Sequence, residues 1–350
     1  MSRPARSRLV VAAIIALVVV AQAPAEERPV QAVTLLESRG AALIDPAVSV
    51  QRLADGFGFT EGPVWVARGG YLLFSDVPGN VIWKLAPGGK PIVYRANVAF
   101  DGPDIWRVGG MNDNAFPADD PRFERFAMIG PDGLALDREG RVILCSFAGR
   151  SIVRLEADGR RTVLADSYRG LRFNGTNDLA VKRDGAIYFT DTFGGLRQRA
   201  KDPRKEQPGN AVYRWKNGAL AMVVSDMPSV NGLAFSPDER ILYVNAGVDN
   251  YVNRYDVRSD GMLTNGRRFL TLEGDPQTGV ADGMKVDIQG NVYITGPGGI
   301  WIVAPDGRHL ATVTLPEKPI NLAFGGADRR TVFVTAHTGI YSFRVRVAGL

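Results

Sequence analysis

The feature that most restricts the fold is one short pattern repeated six times along the chain. Its fullest copy is Gly279-Val280-Ala281-Asp282-Gly283-Met284-Lys285-Val286-Asp287, followed after Ile288 and Gln289 by Gly290 and the run Asn291-Val292-Tyr293-Ile294-Thr295. A small polar residue precedes a short apolar strand, a glycine turn and a second, alternating strand, which is the pattern of a β-hairpin. Earlier copies begin Thr60-Glu61-Gly62-Pro63-Val64-Trp65, Pro131-Asp132-Gly133-Leu134-Ala135-Leu136, Thr176-Asn177-Asp178-Leu179-Ala180-Val181 and Val230-Asn231-Gly232-Leu233-Ala234-Phe235. The sixth, Ile320-Asn321-Leu322-Ala323-Phe324, places its asparagine one residue late, so it is read as a repeat without a ligand.

Between these hairpins lie second strand pairs: 81–85 with 91–94, 151–155 with 161–164, 211–215 with 220–224, 251–255 with 267–271, and 300–303 with 310–313. Four strands in each repeat of roughly 40 to 50 residues predict an all-β chain, a six-bladed β-propeller with four-stranded antiparallel blades. A strand-like stretch at 48–53 comes too early for the first hairpin, and the alternating run 339–347 lacks a partner. Pairing them closes the ring with N- and C-terminal strands and removes two exposed edges. The first two polar positions lie 71 residues apart, against 45, 54 and 51 for the next intervals. The excess falls at residues 100–125, rich in Asp, Gly, Pro and aromatics, a loop that could serve as a lid.

Residues 1–25 carry Arg3, Arg6 and Arg8, then an apolar run from Leu9 to Ala21, then Ala23-Pro24-Ala25. That is the layout of a signal peptide cut after Ala25, and the run is short for a membrane span of about 20 residues. The expected product is periplasmic or secreted, with no stable membrane insertion after cleavage. A lead-in follows at 26–47, helical around 32–38, and then a single propeller domain at 48–350. The formal charge of +5 comes from dispersed residues, and the densest basic run, 197–205, is interrupted by Asp202 and Pro203. It reads as a solvated loop, so no nucleic-acid partner is expected. The single cysteine, Cys145, allows no internal disulfide and lies in an apolar strand, where a thiol is inert.

Residues at one repeat position of a propeller converge on its axis. Here that row holds Glu61, Asp132, Asn177, Asn231 and Asp282, all oxygen donors. Carboxylates crowded together repel unless a cation joins them, and an all-oxygen set suits Ca²⁺ or Mg²⁺. A Gly-x-Ser-x-Gly elbow and a phosphate loop are both missing, and His309 and His337 stand in no catalytic pattern.

The segments Phe59-Thr60-Glu61-Gly62-Pro63-Val64-Trp65, Arg172-Phe173-Asn174-Gly175-Thr176-Asn177-Asp178, Val230-Asn231-Gly232-Leu233-Ala234-Phe235-Ser236-Pro237-Asp238 and Asp282-Gly283-Met284-Lys285-Val286-Asp287 together resemble the gluconolactonase / senescence-marker-protein (regucalcin-like) family of six-bladed propellers. The likeness runs from about Val48 to Val347. It implies a lactone hydrolase with one divalent cation, Ca²⁺ foremost and Mg²⁺, Mn²⁺ or Zn²⁺ as alternatives. By the family's pattern Glu61, Asn231 and Asp282 hold the ion, and Asn177 is a fourth ligand or orients a small-molecule lactone. Arg172 matches the family's substrate contact with three extra residues intervening. Asp132 and Asp178 are further candidates beside the substrate.

The chain departs from its relatives at Cys145-Ser146-Phe147, at Asn174-Gly175-Thr176-Asn177-Asp178 and at Thr190-Asp191-Thr192-Phe193-Gly194-Gly195, which implies a less polar mouth than a sugar-lactone site. In the expected reaction the ion polarises the lactone carbonyl and water attacks, with Asp282 as general base or with the ion alone activating the water. The competing readings are an arylesterase or phosphotriesterase propeller and a non-enzymatic periplasmic binding propeller.

Overall fold

Six antiparallel sheets form in chain order. A computed structural model describes residues 32–113, 117–121 and 123–350. Blade 1 comprises Thr60–Val66, Tyr71–Asp76, Val81–Leu85 and Ile92–Ala96, and blade 2 Pro131–Leu136, Val142–Ser146, Ser151–Leu155 and Arg161–Ala165. Blade 3 comprises Thr176–Val181, Ile187–Asp191, Ala211–Lys216 and Ala219–Val224, and blade 4 Leu233–Phe235, Ile241–Ala246, Tyr251–Val257 and Leu263–Thr271. Blade 5 comprises Met284–Val286, Val292–Gly296, Gly299–Val303 and His309–Val313; blade 6 takes Asn321–Gly325, Thr331–Ala336 and Gly339–Arg344 from the C-terminal region. Turn chemistry sets the hairpins: Asn217 and Gly218 both adopt positive φ, 50° and 85°, and join the outer strands of blade 3.

The fourth strand of blade 6 is Gln51–Asp55, paired antiparallel with Gly339–Arg344 in the register Gln51↔Ser342 and Arg52↔Tyr341. The two ends of the chain therefore close the ring in one sheet. Each innermost strand lies against those of both neighbouring blades, so the six line a central axis. Apolar side chains fill the gaps between blades, as alternation predicts: Leu73 and Ile82 of blade 1 meet Leu144 and Val153 of blade 2, and Trp65 stacks on Phe333 of blade 6 at 5.2 Å. Cys145 is one of these buried contacts, in the core shared by blades 2 and 3.

The expected helix around 32–38 is not formed. Val33–Leu35 is a strand that adds to the outer edge of blade 5, with Val33 opposite Val313, and a short 3-10 turn follows at Ser38–Ala42. An edge strand offers unpaired N–H and C=O groups, and Val33 buries completely on pairing there. The lead-in thus joins the propeller from Val33 on, with Leu43 and Ile44 packed into the same core. The proposed signal peptide lies outside the described residues.

The long interval after blade 1 forms a hairpin of Met111–Asp113 with Arg125–Ala127. It is held to the loop between the second and third strands of blade 3, Gly109 N donating to Gly195 O at 3.0 Å and Gly110 N to Gly194 O at 2.7 Å. Phe126, next to Phe59 at 5.9 Å between ring centroids, joins Val77, Met128, Phe147 and Ile320 in a small apolar cluster. Since Phe59 and Ile320 lead directly into innermost strands, this cluster lies at the end of the axis where those strands begin.

Candidate functional site

The row of polar residues singled out by the repeat sits at that end. In blades 1, 2 and 3 the pairing of the innermost strand breaks register beside the polar residue, between Glu61 and Val64, opposite Leu144 and Ser146, and between Thr176 and Leu179. A bulge there re-aims a side chain that would otherwise follow the pleat. In blades 4 and 5 the polar residue stands just ahead of the strand, where Asn231 N donates to Asn245 O at 3.0 Å and Asp282 N to Thr295 Oγ1 at 2.8 Å.

Glycines follow four of the row's members because the next blade's backbone is too close for a side chain. A Cβ on Gly232 would lie 2.1 Å from the Asp282 carbonyl oxygen, and one on Gly283 2.0 Å from Asn321 Oδ1. Gly232→Ala is therefore expected to destabilise the protein by about 2 kcal/mol or more in denaturant unfolding, since backbone must move to admit the methyl group. A variant as stable as the unmutated chain would contradict this close approach.

The structure brings Glu61, Asp132, Asn177, Asn231 and Asp282 into one mutually interacting group. Asn177 Nδ2 donates to Asp132 Oδ2 at 2.7 Å, and the Asn231 amide favours the ionised Asp282 carboxyl. Glu61 and Asp132 are 4% and 2% exposed. Asp178, 4% exposed, lies with them and faces Asn321. Arg172 is exposed on the small hairpin Ser167–Tyr168 with Leu171–Arg172, and its guanidinium donates to Gly149 O at 3.1 Å.

Two residues of the site were not foreseen. Asn321 is 2% exposed and its Nδ2 donates to Glu61 Oε2 at 2.9 Å. Its one-residue offset puts it in the row of Asp178 and the four glycines, not in the ligand row, and that second alignment was the signal available. Lys285, three places beyond Asp282, reaches Asn321 Oδ1 at 3.4 Å. Neither histidine joins the group: His309 stacks on Trp301, and His337 packs edge-on to Phe59.

Burial dominates the electrostatics. It is the leading cause that pushes the Glu61 carboxyl up to about 7, with Asp178 adding to it while Gly62 N–H, Asn321 and Lys285 oppose. Burial raises Asp132 well above the ordinary range, followed by the fields of Glu61, Asp282 and Asp178, and it raises Asp282 likewise, followed by Glu61 and Asp178. Asn177 Oδ1 and Asp282 Oδ1 are buried without a hydrogen-bond partner. Buried, partnerless hard oxygens among mutually repelling carboxylates fit a divalent cation. Among the described residues no three His, Cys, Asp or Glu side chains alone form a cluster able to hold an ion, so a cation here would need amide oxygens as well. A cavity of about 650 Å³ opens at the other end of the axis, but Val64, Leu134, Leu179, Leu233 and Phe324 give it an apolar wall, and it contains none of the ring's acids.

Residues 59–338 match the family described as the SMP-30/Gluconolactonase/LRE-like region. The chain is 32% identical over 330 residues to a gluconolactonase of Zymomonas mobilis, covering 91% of this chain and 87% of that one. It is 31% identical over 280 residues to a 6-deoxy-6-sulfogluconolactonase of Pseudomonas putida, covering 79% and 82%. A gluconolactonase structure from Xanthomonas campestris superposes with a TM-score of 0.73 at 27% identity, covering 89% of this chain and 94% of that one.

Proposed function

The chain belongs to the SMP-30/gluconolactonase/LRE-like family, and from that premise we propose that it is an exported, divalent-cation-dependent hydrolase of a small lactone. The lactone-hydrolase assignment follows the relatives over most of their length. The single observation that carries the cation is the pair of buried, partnerless oxygens, Asn177 Oδ1 and Asp282 Oδ1, in a group of raised carboxyls.

Glu61, Asn231 and Asp282 would hold the ion, and Asn177 would be a fourth ligand or a substrate contact. When bound, a divalent cation supplies Lewis-acid polarisation of a lactone carbonyl and charge for the oxyanion. Asp282 would take the proton of the attacking water, unless the ion alone activates that water, and would return it to the ring oxygen when the lactone C–O bond breaks. Asp132 fixes Asn177 through the 2.7 Å bond, which turns the Asn177 carbonyl oxygen free of protein donors. Phe59, Phe126 and Phe147 pack in one apolar cluster beside this end of the axis.

A panel of aldonolactones, plain γ- and δ-lactones and aryl esters tests the reading. Faster opening of one or more lactones than of the aryl esters supports it; turnover of the esters alone would make the protein an arylesterase. Export is tested by the intact mass of protein recovered from cells. A mature chain beginning at or near Glu26 is expected, and a soluble cytoplasmic form retaining residues 1–25 would contradict it.

A further inference from the structure

Four carboxylates, Glu61, Asp132, Asp178 and Asp282, interact along the axis, and the cation the chain itself sets against them is Lys285. The lysine is half-buried in strand Met284–Val286, and it also forms part of the wall of the apolar cavity. Its ammonium donates to the Met284 carbonyl at 3.0 Å and to Asn321 Oδ1 at 3.4 Å, and Asn321 in turn donates to Glu61 Oε2 at 2.9 Å. Its charge favours the ionised forms of Asp178 and Glu61.

We propose that Lys285 is the resident counter-ion of the axial carboxylates: held next to Glu61 through Asn321, it offsets part of their negative charge and lowers the ring's affinity for a divalent cation. The inference rests on the cation-binding reading above. Like charges a few ångströms apart in a low-dielectric site interact strongly, so a fixed ammonium beside the ring repels an incoming divalent ion. The direction of the effect separates this role from a structural one. A strut that merely held Glu61 in place would weaken cation binding when lost, whereas a counter-ion strengthens it.

The test is calorimetric titration of chelator-stripped full chain with Ca²⁺. Lys285→Met keeps most of the stem's volume without the charge and is expected to bind Ca²⁺ about tenfold or more tightly than the unmutated protein. Lys285→Arg, which keeps the charge, should stay near the unmutated affinity. A folded Lys285→Met protein that binds Ca²⁺ equally or more weakly overturns the assignment. If Lys285→Met folds only with Ca²⁺ present, the counter-ion role is supported. If it does not fold at all, the Asp178→Asn/Lys285→Met double variant, which removes one charge of each sign, should recover both fold and binding, and its failure to do so overturns the proposal. An unmutated protein that takes up no divalent cation would overturn the cation reading itself.

Discussion

Asp282→Asn should retain its fold and lose about a hundredfold or more in kcat for lactone opening, the usual scale for removing a general base. The amide has nearly the volume of the carboxylate, and the Asp282 backbone bond to Thr295 Oγ1 is untouched by the change. An amide oxygen can still act as a ligand, so bound cation should fall less than activity. The contrast is Asn177→Ala, which frees Asp132 of its 2.7 Å partner and should raise KM as well as lower kcat. Initial rates and bound Ca²⁺ measured on the same preparations of both variants check the pair. A fully active, metal-loaded Asp282→Asn protein would show that Asp282 is not the base.

Stripping the cation should make stability strongly dependent on pH, in the direction opposite to common acid denaturation. The Glu61 carboxyl is raised from 4.5 to about 7 in the folded chain, burial first and Asp178 next. Between those values the folded state binds more protons than the unfolded one, so stability falls as pH rises through the window and is lowest above it. Glu61 alone contributes a loss of about 3 kcal/mol, and Asp132 and Asp282, raised from 3.8, act in the same direction. A divalent cation removes this penalty by holding the carboxylates charged, and at a thousandfold excess over Kd it adds about 4 kcal/mol. Chelated protein should therefore melt higher at pH 5 than at pH 8, and Ca²⁺ should restore the melting temperature chiefly at pH 8. Equal melting of the chelated protein at both pH values would contradict the arrangement of the ring.

The repeat made the blades and the row Glu61, Asp132, Asn177, Asn231 and Asp282 legible, because a residue's place in a propeller follows from its place in the repeat. Asn321 and Lys285 were harder to read, since they act from positions one and three places further along the strand, where most copies carry glycine or an apolar residue. The strand Val33–Leu35 is only three residues long, too short for alternation to show. The insertion was visible as excess length, but its docking on Gly194 and Gly195 joins two aperiodic loops and has no signature in either. Arg172 stands on a small hairpin that the repeat does not contain, so its position could not be read from the periodicity.

The most direct measurement is hydrolysis of gluconolactone by one preparation, followed before chelation, after removal of bound cation, and after stepwise return of Ca²⁺. The account predicts that activity disappears with the ion and returns in proportion to it, saturating at one ion per chain. Undiminished hydrolysis by cation-free protein, or a fully loaded ring that opens no lactone, would contradict it.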